Sequence, residues 1–286
     1  MSRIGRVGVS NLEKVLYPGL GLTKKEIIGY YIRIAPSILP YLAGRPVVLN
    51  RFPDGIENQG FFEKNAPPET PDWVTLSPHY SGTAGRVVRY IVCDKLDTLI
   101  WLANLAAIEL NITLSHASDP EQPDFAFFDI DPEPPAAMEE TVRVTRALGE
   151  VLQGLGIQGY VKTSGKKGLH VVVPLKPGYE FHQVRNFVHA TGILLSREHD
   201  GVVSEFPHSR DPGTVFVDYL QNSSWKTMAC PYSLRPVPGA PVSCPLSWEE
   251  LTPSLRPEDF NIATVSSRTE DPWKEIFEDR QNIPVK

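Results

Sequence analysis

With 286 residues, 41% of them hydrophobic and 22% charged, the chain has ordinary globular composition and enough length for one large domain or two small ones. That excludes a disordered, collagen-like or coiled-coil chain. The formal net charge of −6 argues, as an average, against a phosphate-rich partner.

The N-terminus is basic but lacks an apolar leader region, so a cytoplasmic location is expected. Thr23 followed by Glu26 forms a capping-box pattern that predicts a helix from Lys24 to Leu39, ended by Pro36 and Pro40. A strand is expected from Pro46 to Phe52, a turn at Asp54-Gly55 and a further strand from Val87 to Val92. The most apolar stretch, 98–114, is broken by Asn104, Glu109 and Asn111. It is too interrupted for a membrane span and predicts a buried helix over 95–110. Phe125 to Ile130 reads as a buried strand ending at Asp131-Pro132, and Glu139 to Leu155 as a helix by its apolar spacing. Tyr160–Thr163 and Leu169–Leu175 flank Ser-Gly-Lys-Lys-Gly as a hairpin. Phe181–Glu198 predicts a helix and Val215–Leu220 a strand, and the proline-rich chain after Pro231 predicts a surface wrap with a short helix near Pro272–Asp279. The fold class is therefore α/β or α+β with mixed sheets. Cys93, Cys230 and Cys244 are three in number and far apart, with no C-x-x-C pair, and are expected to be reduced thiols.

Net charge hides an uneven layout. Residues 1–51 carry Arg3, Arg6, Lys14, Lys24, Lys25, Arg33, Arg45 and Arg51 against Glu13 and Glu26 alone. Residues 119–140 hold eight carboxylates and no base, and 141–245 turn basic again, with eleven basic against seven acidic residues. An acidic focus between basic stretches suits divalent cations and polyphosphate, although solvated faces of opposite sign would give the same pattern.

Two motifs mislead. Gly154-x-Gly156-x-x-Gly159 has the letters of a dinucleotide fingerprint but follows a helix and leads into a strand, the reverse of what that motif needs. It predicts a helix end and turn. Ser164-Gly-Lys-Lys-Gly lacks the earlier glycine and the trailing Ser/Thr of a P-loop.

Period-two alternation puts Asp129 and Asp131 on one face of a strand, where two carboxylates one pleat apart suit a shared cation; a strand end running into an acidic turn is the plain alternative. Asp218 lies in the apolar run Val215–Leu220, where a lone ionised carboxylate is costly without a partner. Three strand-borne aspartates meeting on one face would hold two Mg²⁺ or Mn²⁺ ions for an in-line phosphoryl displacement. The hairpin adds Ser164, Gly165 and Gly168 with N–H groups open to a ligand, Lys166 and Lys167 as charge, and His170 as a donor on the next strand. Arg210 and Arg235 would complete a cationic clamp, although each alone reads as a surface residue.

Asp129-x-Asp131, the run Thr163–His170, Val217-Asp218-Tyr219-Leu220-Gln221-Asn222 and Ala229-Cys-Pro-Tyr-Ser-Leu-Arg235 together resemble the prokaryotic non-homologous end-joining polymerases. These are the polymerase domains of ligase D type, in the archaeo-eukaryotic primase superfamily. The likeness runs from Asn11 to the Ser247–Leu251 region and covers most of the chain. It implies one primase-polymerase catalytic domain over 1–286, with an RRM-like core. The approximate parts are a DNA-end and template part at 1–118, a catalytic core at 119–245 and a C-terminal wrap at 246–286. By this resemblance Asp129, Asp131 and Asp218 are catalytic metal ligands. Ser164, Lys167, His170, Arg210, Gln221 and Arg235 bind the incoming nucleotide, with the loop around Arg210 one residue longer than in relatives. Asn11, Lys14 and Lys24 match a pocket for a DNA 5′-phosphate, and Phe61, Phe62, Lys64 and Arg51 match template contacts. Aromatic faces can stack on any base, although ordinary core packing is the plain reading of the two phenylalanines. Asn111 stands where a histidine of the ribose pocket is expected, and Asn50 where lysine occurs.

The expected activity is template-dependent addition of nucleoside triphosphates, ribonucleotides favoured, to a primer 3′-hydroxyl at gaps or double-strand break ends in non-homologous end joining. Two Mn²⁺ or Mg²⁺ ions serve as cofactors, and DNA, NTP or dNTP, a Ku-type end-binding protein and a separate ligase are the partners, in a cytoplasmic, nucleoid-associated setting. No ligase or nuclease signature fits within the chain, so a stand-alone polymerase is expected. A two-metal nuclease or phosphodiesterase, and a non-catalytic DNA-end adaptor, are the competing readings.

Overall fold

Alternating apolar strands and amphipathic helices build two six-stranded, largely antiparallel sheets and, among the described residues, three two-stranded ones, in a computed structural model that describes residues 2–82, 84–205 and 211–285. The chain divides into two units, 1–113 with 227–243 and 261–268, and 114–226 with 244–260 and 269–286.

In the first unit the helix Lys24–Leu42 starts as its capping box requires, the Thr23 N–H donating to Glu26 Oε2 at 2.5 Å. It continues through Pro36 and Pro40 instead of ending there. A proline breaks a marginal helix, but here a stripe comprising Ile27, Tyr30, Tyr31, Ile34, Ile38 and Tyr41 is buried, and packing outweighs the lost hydrogen bonds. Tyr30 and Tyr31 hydroxyls donate to the Tyr232 and Ile108 carbonyls at 2.7 and 2.6 Å. The sheet of this unit runs Thr227–Ala229, Ala107–Thr113, Pro46–Arg51, Arg86–Val92, Thr75–Ser81, with Phe61–Glu63 also paired to Pro46–Arg51.

The long helix expected over 95–110 is two elements. Leu96–Asn104 is helical, Ala106 turns the chain at φ 57°, and Ala107–Thr113 is a strand buried at every residue. An element buried on all sides shows no periodicity, so sequence spacing could not separate the two. Among the described residues no helix is long and apolar enough to cross a membrane.

In the second unit the sheet order is Val202–Val203, Val215–Asp218, Phe125–Pro132, Leu169–Pro174, Tyr160–Thr163, Pro245–Leu246, and the first pair is parallel. Ala126, Phe128 and Ile130 point to one face, where they join a buried apolar core with residues of the helices Met138–Gly154 and Phe181–Glu198. The ring of Phe128 meets that of Phe187 edge-on at 6.0 Å. Burying each large side chain in this layer contributes about 1.5–3 kcal/mol, so the register of the strand is strongly determined. As expected, the glycine-rich 154–159 segment ends a helix, with Gly156 at φ 72°. Val215–Asp218 ends two residues before the expected Leu220, and the segment 272–279 forms successive turns, not a helix.

Candidate active site

The register that buries Ala126, Phe128 and Ile130 on one face forces Phe127, Asp129 and Asp131 onto the other. Asp129 stands opposite His170 on one neighbour and opposite Asp218 on the other, and His170 stands opposite Lys162 on the next strand out. Four polar side chains thus form one row, Asp218, Asp129, His170, Lys162, across four strands. His170 Nε2 lies 3.2 Å from Asp129 Oδ1, and its Nδ1 lies 2.5 Å from Lys162 Nζ. The Phe127 ring meets the imidazole edge-on at 4.9 Å.

Asp218 closes the row at a strand end. Its carboxylate accepts from the Leu220 N–H at 2.8 Å and from Gln221 Nε2 at 2.9 Å. Burial pushes this carboxyl above its ordinary value; the two hydrogen bonds oppose the shift and the neighbouring Asp129 charge adds to it. Because the strand stops at Asp218, Phe127 would be left without backbone partners on that side. Asn222 replaces the missing strand: its Oδ1 accepts from the Phe127 N–H at 2.8 Å, and its Nδ2 donates to the Phe127 carbonyl at 2.7 Å. The turn carrying Gln221 is thereby tied to the aspartate strand.

The hairpin 163–168 closes over the other end. Ser164 Oγ accepts from the Lys166 and Gly168 N–H groups, both at 3.1 Å. Of the N–H groups expected to be open to a ligand, that of Gly168 is therefore engaged within the loop, as is that of Ser164, which donates to the Gly168 carbonyl at 3.0 Å. Lys167 Nζ donates to the Pro132 carbonyl at 3.0 Å, at the end of the aspartate strand. Gly168 leaves no room for a side chain, since a Cβ there would lie 2.5 Å from the Ile130 oxygen and 2.6 Å from Asp131 Oδ1. Glycine is required so that the loop can lie against Asp131.

The donor set of Asp129, Asp131 and Asp218 is all carboxylate oxygen, the hard chemistry that Mg²⁺ and Mn²⁺ take. Among the described residues no three His, Cys, Asp or Glu side chains are gathered as a finished metal cluster. Asp218 is turned toward Leu220 and Gln221, and Asp129 toward His170. Two aspartates in register, one with its charge disfavoured by burial, nevertheless form a pair that a divalent cation would relieve, and the residues fit such an ion on that ground.

The first unit holds the other expected contacts. Asn11 turns the chain at φ 52°, its carbonyl accepting from the Lys14 N–H at 3.0 Å, and the Lys14 carbonyl accepts from the Lys24 N–H at 2.8 Å. Lys14 Nζ lies 2.6 Å from Asp54 Oδ1. Lys24 is buried, and its ammonium pKa is lowered by that burial and by the charges of Lys14 and Arg51. Arg51 pairs with Glu63 at 2.8 Å and lies over the Phe61 ring at 5.2 Å. Phe61 and Phe62 are 45% and 66% exposed, so the core-packing alternative fails. With exposed Lys64 they border an open groove of about 620 Å³.

Arg235 is buried and pairs with Glu109 at 3.4 Å, its carbonyl accepting from the Tyr17 hydroxyl at 2.8 Å. Asn111 and Asn50 are buried on the strands Ala107–Thr113 and Pro46–Arg51, with Asn50 opposite Glu109. Arg210 lies outside the described residues. Sequence reasoning missed Lys162 and Asn222. The signal for Lys162 was its alternation with Val161, which puts it on the aspartate face.

A sheet that carries in-register aspartates, an adjacent histidine and a lysine-bearing glycine hairpin on one face is an α/β framework suited to phosphoryl-transfer chemistry. The profile of the family described as LigD, primase-polymerase domain, matches residues 23–274, and the chain belongs to that family. It is 32% identical over 262 residues to the multifunctional non-homologous end joining protein LigD of Mycolicibacterium smegmatis, covering 90% of this chain and 34% of that protein. It is 30% identical over 281 residues to the bifunctional non-homologous end joining protein LigD of Bacillus subtilis, covering 96% of this chain and 45% of that one. The chain thus spans less than half the length of these relatives. The solved polymerase domain from Mycobacterium tuberculosis ligase D in complex with DNA superposes with a TM-score of 0.86 at 30% identity, covering 96% of this chain and 99% of that one. The expected mixed α/β primase-polymerase fold is borne out.

Proposed function

We propose that the protein is a template-directed repair polymerase that extends a primer 3′-hydroxyl with nucleoside triphosphates at gaps or broken DNA ends during non-homologous end joining. The observation that carries this reading is the row Asp218, Asp129, His170 with the lysine hairpin over Asp131. The similarity to a polymerase domain in complex with DNA and to end-joining proteins supports it.

Asp129, Asp131 and Asp218 would hold two Mg²⁺ or Mn²⁺ ions. Bound there, such ions supply activation of the primer hydroxyl and neutralisation of the leaving pyrophosphate. The chain's own residues handle the rest. Ser164, Lys167, His170 and Gln221 would serve as donors for the triphosphate; Arg235, and Arg210 outside the described residues, would add cationic charge by the family resemblance. Lys167 exchanges the Pro132 carbonyl for a phosphate oxygen when nucleotide arrives. Lys14, Lys24 and Asn11 receive the 5′-phosphate at the far side of a gap, a role supported by the burial of Lys24 and the neighbouring charges of Lys14 and Arg51, which together lower its pKa and which an anion would offset. Exposed Phe61 and Phe62, with Arg51 and Lys64, offer a stacking surface for template bases. Ribonucleotides are accepted readily, with Asn111 in place of the histidine setting how strongly. A Ku-type end-binding protein and a DNA ligase activity act before and after this step, in the cytoplasm.

The test is extension of a gapped duplex, with and without the downstream 5′-phosphate, comparing ribo- and deoxyribonucleotides under Mn²⁺ and Mg²⁺. Incorporation with pyrophosphate release, lost in Asp129→Ala while DNA binding persists, supports the reading. Strand hydrolysis, or end binding without incorporation, overturns it in favour of a nuclease or an adaptor.

A further inference from the structure

Continued in its register, the strand Val215–Asp218 would place residue 220 opposite Phe127, as Asp218 stands opposite Asp129. The chain turns instead, and the Leu220 N–H and Gln221 Nε2 come back onto the two Asp218 carboxylate oxygens, at 2.8 and 2.9 Å. Phe127 is buried, so the backbone groups it aims at the vacated place need partners. The fully buried Asn222 side chain supplies them, its Oδ1 accepting from the Phe127 N–H and its Nδ2 donating to the Phe127 carbonyl. The second Nδ2 hydrogen goes to the Tyr219 carbonyl at 3.1 Å. Only a carboxamide offers an acceptor and two donors on one planar group, so it can copy a peptide unit of the ladder and hold the turn as well. One amide thus fastens the turn 219–222 to the strand that carries Asp129.

We propose that Asn222 is a positioning residue: its side-chain amide stands in for the strand that ends at Asp218, holds the turn whose Leu220 N–H and Gln221 amide orient the Asp218 carboxylate opposite Asp129, and so sets the cation affinity of the aspartate pair. The cation clause rests on the polymerase reading above. The orientation clause does not. A carboxylate has about four lone-pair positions on its two oxygens, so one hydrogen bond to each oxygen fixes the group and leaves positions for a cation. Without Asn222 the turn loses its tie to Phe127, the two donors drift, and the carboxylate is free to swing from its place in the row. The side-chain hydrogen bonds of Asn222 go to Phe127 and Tyr219; it acts on Asp218 through Leu220 and Gln221.

The experiment joins amide hydrogen exchange, read by NMR on the full chain without metal, to a calorimetric Mn²⁺ titration without DNA or nucleotide. In the wild type the Phe127 and Leu220 amides are expected to be protected, and in Asn222→Ala both should exchange faster. Val188→Ala, which opens a cavity in the apolar core under the opposite face of the sheet, controls for lost stability alone. Mn²⁺ affinity should fall about 10–100-fold in Asn222→Ala, as for other groups that hydrogen-bond a metal-binding carboxylate, and stay unchanged in Val188→Ala. Gln221→Ala added to Asn222→Ala should weaken it little further, because the two act through one turn. In primer extension the Mn²⁺ concentration for half-maximal rate should rise by more than kcat falls. Unprotected Phe127 and Leu220 amides in the wild type overturn the proposal, and that measurement decides it even where the variants do not fold. Unchanged Mn²⁺ affinity in folded Asn222→Ala, or an equal loss in Val188→Ala, overturns it too. A wild type that extends no primer refutes the polymerase reading, and the exchange result still decides how Asp218 is held.

Discussion

Asp129 and Asp218 face each other in register across two antiparallel strands, a like-charged pair at the point where the shorter strand ends. Directly opposed like charges destabilise a sheet, so the pairing opposes folding.

Removing the charge at either position should therefore separate stability from activity. The Asp218 carboxyl is raised above its ordinary value of 3.8 by burial and by Asp129. Between 3.8 and that raised value the folded chain holds more protons than the unfolded one, so stability falls as pH rises through this window. Asp218→Asn should be more stable than the wild type at neutral pH and lack that slope, read by urea denaturation across pH. Primer extension in the same variant should fall by three or more orders of magnitude, ~4 kcal/mol in barrier.

Mn²⁺ added to the wild type should raise its melting temperature, because a ligand that binds only the folded chain stabilises it. Calorimetry of Asp129→Ala under the same titration should show no rise.

Gly168→Ala should be costly for a residue on a hairpin. The new Cβ would lie 2.5 Å from the Ile130 oxygen and 2.6 Å from Asp131 Oδ1, and overpacking of this kind costs about 1–3 kcal/mol. Denaturant midpoints check the stability, and extension should drop with it because Asp131 is displaced.

Phe61→Ala and Phe62→Ala should leave stability within about 0.5 kcal/mol, since both rings are exposed. Binding to a DNA with a single-stranded template overhang should weaken by about 1–3 kcal/mol for each stacked base lost. Fluorescence anisotropy against a blunt duplex, which should be unaffected, checks it.

Lys24→Met should reverse sign between two measurements. Burial and the charges of Lys14 and Arg51 lower the Lys24 pKa from 10.5, so the charged form costs folding energy at neutral pH and the variant should be more stable there. In the wild type that cost should shrink as pH rises from the lowered value toward 10.5. The preference for a 5′-phosphorylated gap should disappear in the variant, and the salt dependence of binding should lose about one counterion.

Much of the site was legible before folding. Asp129 and Asp131 declared a shared face through a period of two, and a lone Asp218 in an apolar run declared a buried charge in need of company. The helix Phe181–Glu198 and the turn at Gly156 were legible for the same reason, because local spacing and turn chemistry determine them. The stretch 98–114 was not: buried on every side, it carries no alternation by which to tell helix from strand. Nor was the survival of a helix through Pro36 and Pro40, which depends on what covers Tyr30, Tyr31 and Ile38.

The sequence alone determined which side chains share a strand face and which residue types suit phosphate and divalent cations, since both are properties of neighbours a few bonds apart. Only tertiary structure decided that Asp218, Asp129, His170 and Lys162 align in one row, and that Asn222 takes the place of a missing strand beside Phe127. Strand register is the reason. It is set by burying apolar side chains on the far face of a sheet assembled from distant segments, and no local pattern encodes which segments those will be.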